Sequence, residues 1–120
     1  MRTATIQIRR DDDQVLREAA AGFVKAWTSG EAPGDRFTFS SPAQLFSILS
    51  PKRWELVERL QTLGPSTLRG LSRALARDVK RVHGDVAVLL EWGLVQWTPD
   101  RKLTVPYDRI HADFDLGAAA

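Results

Sequence analysis

Apolar residues in this 120-residue chain recur with two different periods, and the period changes at clear punctuation. Residues 3–8, TATIQI, are rich in β-forming side chains and predict a short strand. In the following DDDQVLREAAAGFVKAW, Leu16, Ala19, Ala20, Phe23 and Trp27 recur at helical spacing. The preceding aspartates suit a helix N-terminus. TSGEAPGD (28–35) breaks that helix, and RFTF (36–39) alternates as a second short strand.

Two Ser-Pro pairs come next. Ser41-Pro42 and Ser50-Pro51 each offer an N-cap followed by proline at the first helical position. The first opens a short helix with Leu45, Phe46 and Leu49. The second opens PKRWELVERLQTL, with Trp54, Val57 and Leu60 on one face, and Gly64-Pro65 ends it. TLRGLSRAL (67–75) predicts a further helix capped by Thr67, with Leu68, Leu71 and Leu75 in register. After the tight connection ARD (76–78), Asp78 caps VKRVHGDVAVLLEW (79–92), whose buried stripe is Val79, Val82, Val86, Leu89 and Leu90. Gly93 suits its C-terminal cap. LVQWTPDRKLTV (94–105) predicts a β-hairpin turning at TPDRK. DRIHADFDL (108–116) has period two, with Ile110, Ala112, Phe114 and Leu116 on one face, and GAAA is a frayed tail.

From residue 51 to 105 the order is therefore helix, helix, tight turn, helix, hairpin. That order predicts an α+β fold: a winged helix-turn-helix with a three-helix core and a β-hairpin wing. It carries an N-terminal strand-helix extension and a C-terminal strand extension. The expected boundaries are 1–49 for the N-terminal extension, 50–107 for the winged helix-turn-helix domain, and 108–120 for the C-terminal strand and tail.

Charge sharpens this reading. Residues 1–50 carry six Lys/Arg against six Asp/Glu, residues 51–85 carry eight against four, and residues 86–120 carry three against five. The middle third is thus a local basic element, the footprint of polyanion binding. In helix 79–92 the buried stripe leaves Lys80, Arg81, His83, Gly84 and Ala87 outward. Long cations serve phosphates or the acceptor edge of guanine, and small residues permit close approach. Helix 79–92 is therefore expected in the major groove of double-stranded DNA, and the wing, 97–103, on backbone or minor groove through Arg101 and Lys102. Lys52, Thr67, Arg69, Arg73 and Arg77 complete the candidate DNA-binding set, the cations as phosphate grips. The extensions are expected to pair across a two-fold axis, because operator half-sites one helical turn apart call for a homodimer.

The stretch from LSPKRWELVERL to VPYDRI resembles a family of small prokaryotic predicted transcription regulators grouped with MarR-type winged-helix proteins. ARDVKRVHGDV and VPYDRI are its most specific parts, and the likeness covers about residues 36–116. Members often look like partners of toxin genes. The resemblance implies an autorepressing, sequence-specific DNA-binding regulator, with an antitoxin that neutralises a partner toxin as the alternative. The chain departs from the pattern at three positions. Gly70 stands where the family has glutamate, so the capping box with Thr67 is lost. Ser72 replaces a small apolar residue, and Gly84 replaces a larger polar one. Together these are expected to loosen the reading unit slightly.

Other residues have plainer readings. Asp85 holds Arg81 or Arg77, or only balances charge. His111, Asp113 and Asp115 alternate on what reads as a solvated strand face rather than a metal site. Trp27, Trp54, Trp92 and Trp97 read as core or interface aromatics. No cysteine, two distant histidines and no Gly-rich phosphate loop leave nothing to assemble for catalysis, so no enzyme activity, cofactor or metal is expected. No apolar run approaches a membrane span, and the N-terminus turns charged too soon for a signal peptide, so a cytoplasmic, nucleoid-associated location is expected.

Overall fold

The computed structural model describes residues 2–9 and 35–115. The helix expected after residue 10, with Trp27, and the tail from Leu116 lie outside the described residues. The chain has an α+β fold and divides into two compact units, Met1–Leu45 with Arg109–Ala120, and Phe46–Asp108.

The first unit is built on a parallel sheet. Strand β1 (Thr3–Ile8) lies between β2 (Asp35–Phe39) and β5 (Arg109–Ala112) and pairs in parallel with both. Alternation puts Ala4 and Ile6 of β1 and Phe37 and Phe39 of β2 in the interior. The register sets Ile6 beside Phe37 and Ala4 beside Ile110. At the strand starts, Arg2 grips Asp35 through two hydrogen bonds of 2.8 and 3.2 Å. That contact, above all the hydrogen bond from Arg2, holds the Asp35 carboxyl below its ordinary range against a smaller opposing effect of burial. The strands of the two extensions, β1 and β5, are thus paired with each other within one chain. The apolar face expected over 108–116 is shorter than its sequence pattern: β5 ends at Ala112, Ile110 is half-buried, and Ala112 and Phe114 are exposed. Helix α1 (Pro42–Ile48) opens at Ser41, whose hydroxyl accepts from the Gln44 N–H at 3.1 Å, and it buries Leu45.

In the second unit, α2 (Pro51–Leu63), α3 (Leu68–Leu75) and α4 (Val79–Trp92) surround a core of Leu56, Val57, Leu60, Leu71, Val82, Val86 and Leu89. The punctuation explains each boundary. Pro51 starts α2, although the Ser50 side chain makes no cap bond, and Gly64 stops it at φ 76°. Thr67 caps α3, its hydroxyl accepting from the Gly70 N–H at 3.0 Å. Half of the capping box therefore survives the loss of glutamate at 70. Asp78 caps α4 by accepting from Arg81 N–H at 3.4 Å. Gly93, at φ 85°, ends it with N–H bonds from Gly93 to Leu90 and from Leu94 to Leu89.

Leu94 and Val95 are fully buried and lead into the hairpin of β3 (Gln96–Trp97) and β4 (Leu103–Thr104). The hairpin's other edge is held too: Ser66 and Leu103 exchange two backbone hydrogen bonds of 2.9 and 2.8 Å. Beyond it, Tyr107 is buried; its hydroxyl reaches the Gly93 carbonyl at 3.4 Å and its own carbonyl accepts from Gln61 at 3.1 Å. No helix among the described residues is long and apolar enough to cross a membrane.

Candidate nucleic-acid interface

The turn between α3 and α4 is tied more tightly than its sequence suggests. Ala76 takes a left-handed conformation at φ 53°, which reverses the chain in three residues. Ser72, buried between the helices, donates its hydroxyl to the Arg77 carbonyl at 2.5 Å, while the Arg77 N–H donates to the Ser72 carbonyl at 3.1 Å. Ser72 thus supplies a hydrogen bond that an alanine at this position lacks.

The same turn carries an ion-pair cluster. Asp85, halfway along α4, accepts from Arg77 at 2.7 Å and from Arg53 at 3.1 Å. Arg53 also donates to the carbonyls of Ile48 and Ser47 at 2.9 and 3.3 Å. One carboxylate thus joins the start of α2, the turn and the middle of α4. Burial works to raise the Asp85 pKa, but hydrogen bonds from Arg77 and Arg53 outweigh it and hold the carboxyl below its ordinary range. Of the readings open for Asp85, Arg77 is the partner found. Arg77 correspondingly departs from the exposed phosphate grip expected of it. Its side chain is only 16% exposed, and its Nη1 is buried without a hydrogen-bond partner.

The remaining candidates stand outward. Lys52, Thr67, Arg69 and Arg73 are exposed, as are Lys80, Arg81, His83, Gly84 and Ala87 on the face of α4 opposite Val82, Val86 and Leu89. Arg69 and Arg73, with Arg77, Ser72, Ala76 and Val79, line one groove of about 600 Å³ beside the turn. Val79, expected in the buried stripe, is 38% exposed at this groove, because the first residue of α4 precedes the turns that pack. Leu90 is half-buried. A Cβ at Gly84 would meet nothing within 4 Å. Arg101 and Lys102 are exposed at the hairpin turn, Lys102 lying 3.8 Å from Asp100. Trp54 and Trp92 are half-buried, whereas Trp97 is 59% exposed. Of the two readings for Trp97, its exposure leaves the interface one, and sequence reasoning missed Arg53. Arg53 meets a partner far along the chain, a pairing that no local pattern carries.

The family profile of HVO_A0114 matches residues 48–112, from the end of α1 through all three core helices and the hairpin to β5. The chain belongs to the HVO_A0114 family. The match takes in every candidate residue above, so the cluster at Asp85 and the outward face of α4 both lie in the part shared with HVO_A0114 proteins. No match to the chain is found among curated proteins or among solved structures.

Proposed function

We propose that the second unit is a winged helix-turn-helix domain, of the MarR-like kind, and that the protein is a sequence-specific regulator of transcription that binds double-stranded DNA. In this reading α3 and α4 are the helix-turn-helix pair, α4 enters the major groove, and the hairpin is the wing. The observation that carries it is the division of α4: Val82, Val86 and Leu89 are buried, while Lys80, Arg81, His83 and Gly84 share the open face. A helix with one apolar stripe and one cationic, small-residue stripe suits a groove lined by acceptors and flanked by phosphates.

Each exposed cation has a role by position. Arg81 and Lys80 stand on the first turns of α4, where a recognition helix reaches base edges. Arg69 and Arg73 flank the turn and suit phosphates. Arg101 and Lys102 suit the backbone beside the minor groove. A homodimer matches this use, since two half-sites on one face of the duplex call for two reading helices.

The test is binding to the duplex upstream of its own coding sequence, over a series of salt concentrations. The observed constant should fall with salt, by about 0.9 in the log–log slope for each phosphate neutralised. Arg81→Ala should remove the preference for that duplex over a random one. Equal affinity of Arg81→Ala and the parent protein for the upstream duplex would rule out α4 as the reading helix. Sedimentation at micromolar concentration tests the dimer, and a stable monomer would exclude it.

A further inference from the structure

We infer that Trp97 is a nucleic-acid contact: its indole packs on the deoxyribose edges of the minor groove at the wing tip. The inference rests on the DNA-binding reading above. Trp97 is the most exposed large apolar side chain among the described residues, at 59%, while its cross-strand partner Leu103 and its same-face neighbour Val95 are fully buried. Roughly 100 Å² of indole surface is thus left to water. The surroundings select the occupant. The turn beside Trp97 carries Arg101 and Lys102, with Asp100 as its acid. Arg101 makes no ion pair among the described residues and sits at φ 62°, a left-handed position that favours glycine. A cation kept there at a conformational cost, next to an uncovered indole, suits a polyanion with apolar sugar faces.

The turn beside Trp97 is closed by its own hydrogen bonds. Thr98 N–H donates to the Lys102 carbonyl at 2.8 Å, Lys102 N–H to the Thr98 hydroxyl at 2.9 Å, and Arg101 N–H to the Thr98 carbonyl at 3.0 Å. The Thr98 hydroxyl closes on Asp100 at 2.6 Å. Little ordering entropy remains to be lost on binding.

A short random-sequence duplex, titrated at several salt concentrations, tests this with the full chain. An indole contact is not ionic. Trp97→Ala should therefore weaken binding about tenfold at every salt concentration and leave the slope unchanged. Trp97→Phe should recover part of the loss, and acrylamide should quench less of the parent's fluorescence once duplex is bound. Circular dichroism confirms that each variant is folded. Binding of Trp97→Ala within about twofold of the parent at every salt concentration would overturn the inference while leaving the DNA reading intact. Loss of self-association with unchanged duplex affinity would overturn it in favour of a contact between copies of this chain. Failure of the parent itself to bind any duplex would instead overturn the reading beneath it.

Discussion

Asp85 is held between two guanidinium groups, so its protonation is coupled to folding. Its folded pKa lies below the ordinary 3.8. The stabilisation is therefore fully present above that pH and is lost as pH falls through the folded value. Fully buried ion pairs cost about 3–5 kcal/mol when one partner is removed. Asp85 is 17% exposed, so a smaller loss applies. Asp85→Asn should lower stability at neutral pH by about 2 kcal/mol, because Arg77 and Arg53 lose their counter-charge. The gap between the variant and the parent should close in acid, below 3.8. Urea melts of both proteins across that range check the sign. Gly84 poses the opposite case. It is exposed in the middle of α4, and nothing in the fold occupies the space of its missing Cβ. Gly84→Ala should raise stability by about 1 kcal/mol. Operator affinity of the same variant separates two origins. A fall with a firmer fold means that the backbone approaches DNA closely. Unchanged affinity means that the glycine serves nothing in binding.

At the scale of elements, the hairpin turn holds an exposed cation in a strained conformation. Arg101 at φ 62° occupies a region that costs an L-residue roughly 1–2 kcal/mol. Arg101→Gly should raise the melting temperature while making the log–log salt slope of duplex binding shallower by about 0.9. A variant that gains stability and keeps its slope would show the side chain to be uninvolved. Helix boundaries were legible in the sequence because their causes are local. Pro51, Thr67, Asp78, Gly64 and Gly93 each act within one turn of the residue that they stop or start. The strand pairing was not. Residues 3–8 and 109–112 are recognisable strands, but nothing in either says that they lie side by side in parallel. The exposure of Trp97 was not legible for a related reason. The residue keeps the alternation of Val95 and pairs with Leu103, both fully buried, yet is itself exposed. Period reports which face a residue takes and not how far the opposing layer extends.

At the scale of the molecule, the excess of charge in residues 51–85 was legible, but its partition was not. Of the eight cations there, Arg53 and Arg77 are consumed by Asp85, and Lys52, Arg59, Arg69, Arg73, Lys80 and Arg81 stand exposed. A count of basic residues therefore overstates the charge available to a polyanion, and it does so for the two arginines that hold the turn. The exposed ones divide by position. Arg69 and Arg73 line the groove beside the turn, and Lys80 and Arg81 stand on the exposed side of α4. Phosphate contacts position a protein and base contacts specify sequence. Replacing Arg69 and Arg73 together by alanine should weaken binding to all duplexes alike and make the salt slope shallower by about 1.8. Arg81→Ala should leave affinity for random duplex nearly unchanged and reduce only the preference for the operator. Parallel titrations of the two variants against operator and random duplex measure both effects. Loss of operator preference in the Arg69 and Arg73 variant, with none in Arg81→Ala, would move the reading surface from α4 to α3.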